Sequence, residues 1–157
     1  MRPFEEMVVE HGPVVLRVCR AMLGPDDAED AWSETFVAAL RAYPDLRPDS
    51  NVRGWLTTIA HRKAIDHLRR AKRAPRPTGD VPEVPTWDDP PTFDADLRAA
   101  LRALPPKQRG AVIYRYLADL TYAEVGQLLE SSESAARRSA ADGIANLRTS
   151  YPKGTTP

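Results

Sequence analysis

Between residues 53 and 73 the chain carries Arg53, Arg62, Lys63, Arg69, Arg70, Lys72 and Arg73 against a single acid, Asp66. At about 3.6 residues per turn, Thr58, Arg62, Asp66, Arg69 and Arg73 fall on one outer strip of a helix, with Lys63 and Arg70 flanking its buried side. Guanidinium groups repeated along such a strip can follow a phosphate backbone. Residues 1–52 have the opposite balance, ten acids against five bases. Within them Asp27, Asp30, Ser33, Glu34 and Arg41 lie away from the apolar stripe of one helix, free to steer and orient a protein partner. Two surfaces of opposite sign point to two partners, although the whole chain is neutral, with 22 bases and 22 acids.

Other chemistry is poorly supplied. His61 and His67 do not share a helix face as a metal pair would, and no glycine loop for phosphates, nucleophile elbow or metal cluster is present. An enzyme, a metal and a cofactor are therefore not expected. Cys19 is the lone cysteine and sits in an apolar run, which suits a buried thiol and a reducing compartment. No apolar stretch reaches the roughly 20 residues that cross a bilayer, and the first residues lack a signal-peptide pattern, so the expectation is a cytoplasmic, nucleoid-associated protein without a membrane partner.

The elements that must position these residues are all helical. Residues 3–23 read as an amphipathic helix or helix pair broken near Gly12 and Pro13. Asp26 and Glu29 form an N-cap pattern for a helix with Ala28, Trp32, Phe36, Ala39, Leu40 and Tyr43 on its inner stripe, ended by Pro44. Ser50 or Asn51 can cap the cationic helix, whose inner face holds Leu56, Ile59, Ala60, Ala64 and Leu68. Trp55, at helical spacing from these, reads as core rather than a stacking platform. Six prolines between residues 75 and 91 forbid regular helix, and the five acids of residues 74–94 face Arg76 alone. This makes residues 74–94 an acidic linker, in which Trp87 and Phe93 are apolar enough to dock on something.

Beyond it, Pro105 and Pro106 suit the first turn of a helix carrying Ala111, Val112, Tyr114, Tyr116 and Leu117. Thr121 and Glu124 form a capping-box pattern for a short helix with Val125, Leu128 and Leu129 apolar, and a third helix follows from about Ser132 to Arg148. Two helices joined by a turn of about three residues make a helix-turn-helix, whose second helix enters a DNA groove. The expected fold is two small all-α domains, residues 1–73 and 95–151, with 74–94 as linker and 152–157 as a disordered tail.

Three stretches in order, DDAEDAWSETFVAALRAY, NVRGWLTTIAHRKAIDHLRRAKR and LRALPPKQRGAVIYRYLADLTYAEVGQLL, resemble signature segments of the extracytoplasmic-function (ECF) branch of the sigma-70 family. The resemblance covers nearly the whole chain, with region 2 before the linker, region 4 after it and no region 3 between. It implies a transcription initiation factor that lends promoter recognition to core RNA polymerase. Asp27, Asp30, Ser33, Glu34 and Arg41 would then dock on the polymerase clamp. The cationic helix and the loop before it would bind the minus-ten element, where a base is flipped out of the stack at a cost of a few kcal/mol. Asp49, Ser50 and Asn51 are the candidates for that base, Arg53, Arg62 and Arg69 for phosphates, with Thr58, His61 and Arg73 on the same surface. Ser132, Glu133, Ser134, Arg137 and Arg138 would face the minus-thirty-five element, arginine being able to pair with guanine or bind phosphate.

The match weakens at three positions: Glu130 stands where the family usually has a turn glycine, and Ser139 and Asp142 where it is usually basic. Fewer cations release fewer counterions, so minus-thirty-five binding should be weak. A groove beside Leu101, Leu104, Val112 and Leu117 is expected to hold the polymerase flap instead. The resemblance also implies an anti-sigma factor as a further partner. Two other readings fit the same residues: a stand-alone helix-turn-helix regulator, and a sigma-like coactivator that has lost promoter recognition.

Overall fold

The apolar pattern at the start of the chain becomes one unbroken helix in the computed structural model, which describes residues 3–73 and 95–150. Helix α1 (Phe4–Met22) continues through Gly12 and Pro13, so the break expected there is absent. Pro13 lacks the N–H that would bond the Val9 carbonyl, but Val9 is exposed and solvent can take up that oxygen. On the inner side Gly12 lies against the Trp32 indole, whose N–H donates to the Gly12 carbonyl at 3.0 Å.

Helix α2 (Pro25–Ala42) begins two residues earlier than the Asp26 cap pattern suggested. Gly24 is the cap and Pro25 the first residue, so Asp26 and Asp27 sit in the first turn, where negative charge favours the helix dipole. Ala28, Ala31, Thr35, Phe36 and Ala39 are buried, whereas Leu40 is 55% exposed and does not belong to the inner stripe. A 3-10 turn (Tyr43–Asp45) carries the chain past Pro44. Helix α3 (Val52–Arg73) is capped by Asn51, whose Oδ1 accepts the Gly54 N–H at 3.2 Å. Leu56, Ala60 and Ala64 turn inward, with Trp55, Ile59 and Leu68 packed partly against the same core. These three helices pack pairwise.

The second half begins with a helix the sequence reading did not anticipate, α4 (Ala95–Ala103). Arg109 ties it to α5 (Pro106–Val112) by donating to the carbonyls of Leu101, Arg102 and Leu104 around the C-terminus of α4. A π turn (Ile113–Leu117) follows, closed by the Ala118 N–H on the Ile113 carbonyl at 3.2 Å. The wider turn buries Tyr114 completely and leaves Tyr116 57% exposed, so the two tyrosines do not share the stripe that helical spacing assigned them. Leu101, Leu104 and Val112 are also buried. They are core, and Leu117, the fourth residue named for the flap groove, is half-buried against them.

Helix α6 (Tyr122–Leu128) has the full capping box: the Thr121 hydroxyl accepts the Glu124 N–H, and the Glu124 carboxylate accepts the Thr121 N–H. Glu130 in the next turn has φ 56, the left-handed conformation that explains why glycine suits this position. Gly126 lies under the same turn, where a Cβ would meet the Ser131 carbonyl oxygen at 2.8 Å. Helix α7 (Glu133–Ser150) is then capped by Ser132, whose hydroxyl accepts the Ala135 N–H at 3.0 Å.

The two halves do not hang apart. One continuous set of buried side chains joins Val18, Cys19 and Leu23 of the first half to Ile113, Tyr114 and Leu120 of the second. Helix α1 contacts α4 and the π turn, and α3 contacts α6.

Candidate nucleic-acid interface

Helix α3 presents its cations as the wheel requires. Arg62 and Arg69 are exposed, and Thr58 and His61 are half-buried beside them. The Thr58 hydroxyl is turned back to the Gly54 carbonyl at 2.8 Å, which leaves its oxygen as an acceptor. Arg73 closes α3, and its side chain lies outside the described residues, as do Trp87 and Phe93 of the linker and the tail 152–157. In the loop before α3, Asp49 and Asn51 are exposed and Ser50 is half-buried.

Several of these residues are engaged by the second half. Asn51 uses Oδ1 to cap its own helix and Nδ2 to donate to Glu124 Oε2, while Glu124 uses Oε1 to complete the capping box of α6. One carboxylate thus joins the N-termini of two helices, where the dipoles favour negative charge. Arg53 pairs with Asp119 at 3.4 Å, and Asp119 holds a left-handed φ of 57 just after the π turn. The buried Tyr114 hydroxyl meets His61 Nδ1 at 2.6 Å, the rings packed edge to face. Burial holds the His61 imidazole below its usual pKa, and the Arg62 charge adds to this while Glu130 opposes it. Burial likewise raises the Tyr114 phenol and takes the Cys19 thiol to about 12.

Between α3 and α6 lie two clefts. One, of about 390 Å³, is lined by Asn51, Trp55, Thr58 and Arg62 across from Glu124 and Gln127. The other, of about 410 Å³, is lined by Thr58, His61, Arg62 and Arg69 across from Gln127 and Glu130. A larger cavity of about 700 Å³ continues from His61 and Arg69 towards Lys107 and Arg109.

The acidic face of α2 is separate. Asp27, Asp30, Ser33 and Arg41 are exposed and Glu34 is half-buried, with Val37 and Leu40 exposed among them. His67 of α3 reaches this face, 3.3 Å from Glu34 and 3.9 Å from Asp27. Sequence spacing could not foretell that pairing, because it depends on how α2 crosses α3. On α7, Ser132 works as the cap, Ser134 and Arg138 are exposed, and Arg137 is held by Glu133 at 3.1 Å and by the Tyr122 ring at 4.5 Å. Arg115 lies over the same ring at 4.9 Å. Among the described residues no group of metal-ligating side chains occurs, and no helix is long and apolar enough to cross a membrane.

Comparison with known proteins gives two family matches, sigma-70 region 2 over residues 7–74 and sigma-70 region 4 over residues 94–147. The chain is 33% identical to the ECF RNA polymerase sigma factor SigE of Mycolicibacterium smegmatis over 82% of this chain and 54% of that protein. It is 31% identical to the RNA polymerase sigma factor CarQ of Myxococcus xanthus, over 92% of this chain and 87% of CarQ. The chain therefore spans about half the length of one relative and most of the other. In fold it is similar to the sigma factor RpoE of Bartonella quintana, crystallised with the anti-sigma factor NepR, with a TM-score of 0.78, 18% identity and coverage of 96% and 97% of the two chains.

Proposed function

The chain belongs to the ECF branch of the sigma-70 family, and on that premise we propose that it directs core RNA polymerase to promoters and helps open them. It acts as a binding factor rather than an enzyme, in the cytoplasm, with polymerase and promoter DNA as its partners and an anti-sigma factor as a further one. The observation that carries this reading is the separation of two faces on adjacent helices. The exposed α2 face of Asp27, Asp30, Ser33 and Arg41, with Glu34 at its edge, is suited to the polymerase clamp. The α3 strip of Thr58, His61, Arg62 and Arg69, with Asp49, Ser50 and Asn51 before it and Arg53 and Arg73 at its ends, is suited to the opened minus-ten strand.

Region 4 contributes less sequence information than this. Arg137 is already occupied by Glu133 and Tyr122, and Asp142 is exposed on the same helix. We assign Ser132, Glu133, Ser134, Arg137 and Arg138 to the minus-thirty-five duplex, with Arg138 as its main phosphate contact and a shallow salt dependence. Replacing Arg62 and Arg69 together by alanine tests the central assignment. Capture by core polymerase is expected to persist while open-complex yield falls by about tenfold or more, as loss of two phosphate contacts requires. A normal yield would remove the α3 strip from the promoter interface.

A further inference from the structure

Beyond the two clefts lies the cavity of about 700 Å³, walled by α1, α3, α5 and the end of α6. Its interior is aliphatic, with Met22, Ile65, Leu68, Leu128 and Leu129 turned into it. Met22 is buried, but Ile65, Leu68, Leu128 and Leu129 are only half-buried, so their apolar surface is left partly uncovered by protein. The rim is cationic. Arg69, Lys72 and Lys107 line it as exposed side chains, and among the described residues none of the three is in an ion pair. Arg109 adds a positive charge, its guanidinium fixed on the carbonyls around the end of α4, and Glu130 is the single carboxylate opposed to these cations.

Cavities of roughly 300–1,000 Å³ that join apolar walls to a few orienting polar groups are the usual form of a small-molecule site, and they favour the space between helices. The chemistry of the walls narrows the occupant. Among the described residues the lining has no aromatic ring for a base to stack on, apart from the His61 imidazole, which is already bonded to Tyr114. A flexible aliphatic chain suits walls of Leu, Ile and Met, each buried methylene contributing about fourfold in affinity. Three unpaired cations at the mouth select a negative head group.

We propose that this cavity binds a free aliphatic carboxylate of medium chain length, its tail against the apolar walls and its head group at Arg69, Lys72 and Lys107. The site goes beyond the promoter reading and meets it at one residue. Arg69 also belongs to the α3 strip, so an occupant that holds its guanidinium withdraws it from a DNA phosphate. That consequence alone rests on the reading of α3 as the minus-ten surface.

Calorimetric titration of the full chain with decanoate, kept below its micellar concentration, tests the site. One saturable site is expected, with about tenfold weaker binding of octanoate, which has two methylenes fewer. Decanol, which has the tail without the charge, should bind at least about threefold more weakly than decanoate. Lys72→Gln combined with Lys107→Gln should weaken decanoate binding about three- to tenfold and leave thermal unfolding unchanged, both side chains being exposed. Ile65→Trp, which fills the cavity and keeps every rim charge, should abolish binding; if that variant does not fold, the lysine pair decides.

No saturable site, equal affinity for decanol and decanoate, or wild-type affinity in the lysine double variant overturns the proposal. Binding that emerges only after Trp87→Ala and Phe93→Ala assigns the cavity to residues 74–94 of the chain itself and overturns it as well. Saturating decanoate should also weaken binding of a fluorescent single strand several-fold. Unchanged strand binding overturns the sharing of Arg69, and open-complex yield of the Arg62→Ala, Arg69→Ala variant then shows whether the minus-ten reading has failed with it.

Discussion

Glu124 holds two helix ends at once, and its replacement separates those duties. Glu124→Ala removes both the capping box and the Asn51 contact and should cost about 1–2 kcal/mol in urea unfolding, whereas Glu124→Gln keeps a capping side chain and should lose less than half of that. Equal losses would mean the carboxylate charge, not the cap, holds the turn. His61 sets a pH dependence. Its surroundings are Arg62 and Arg69 on its own helix, Tyr114 from the π turn, Glu130 from the α6–α7 turn, and Lys107 and Arg109 across the cavity, with Cys19 of α1 beside Tyr114. Because the folded chain holds His61 below its unfolded value of about 6.5, the unfolded chain binds more protons in that window. Stability is full above about pH 6.5 and falls as acid titrates through the lower folded value. Urea midpoints between pH 7.5 and 5 should therefore decline, and the contribution to that decline should vanish in His61→Gln. The caps at Asn51 and at Thr121 with Glu124 were legible from spacing, whereas Asp26 was read as the cap of α2 and Gly24 holds that place. The roles of Tyr114 and Asp119 were not legible, because a π turn and a left-handed residue leave no periodic trace.

Helices were mostly readable because apolar positions recur at helical spacing, and they failed where local chemistry overrode the period. Pro13 looked like a break, yet the exposed side of α1 accommodates a missing donor. Leu40 and Tyr116 matched an inner stripe but point outward; α2 turns Ala39 rather than Leu40 to the core, and at Tyr116 the π turn re-aims the chain. On α2 the two acids at the centre of the polymerase face are not equivalent: Glu34 is bonded to His67, while Asp30 is fully on the surface. Asp30→Lys is therefore the clean probe, and it should weaken capture by core polymerase several-fold with no change in thermal stability. Unaffected capture would move the docking face off α2. In the helix-turn-helix, Gly126→Ala should cost about 1–3 kcal/mol, since its Cβ would sit 2.8 Å from a backbone oxygen that cannot rotate away. A wild-type urea midpoint would show that the turn shifts to admit a methyl group without cost.

At the scale of the molecule, composition hid what distribution revealed: a neutral chain is built from an acidic first half-domain, a cationic helix and an acidic connection. That order, together with the family resemblance, made the function legible. The shared core between the halves was not, because no periodic signal reports which domain face meets another, and side chains such as His61 and Arg53 satisfy both a solvent-facing and an interface reading. The two faces together should confer promoter use on core polymerase. Transcription of a genomic fragment library, run with core polymerase from the encoding organism in the presence and absence of the full chain, tests it most directly. A discrete set of start sites is expected only when both proteins are present, weakening sharply with the Arg62→Ala, Arg69→Ala variant. The same transcripts from core polymerase alone, or no association of the chain with polymerase at low salt, would contradict it.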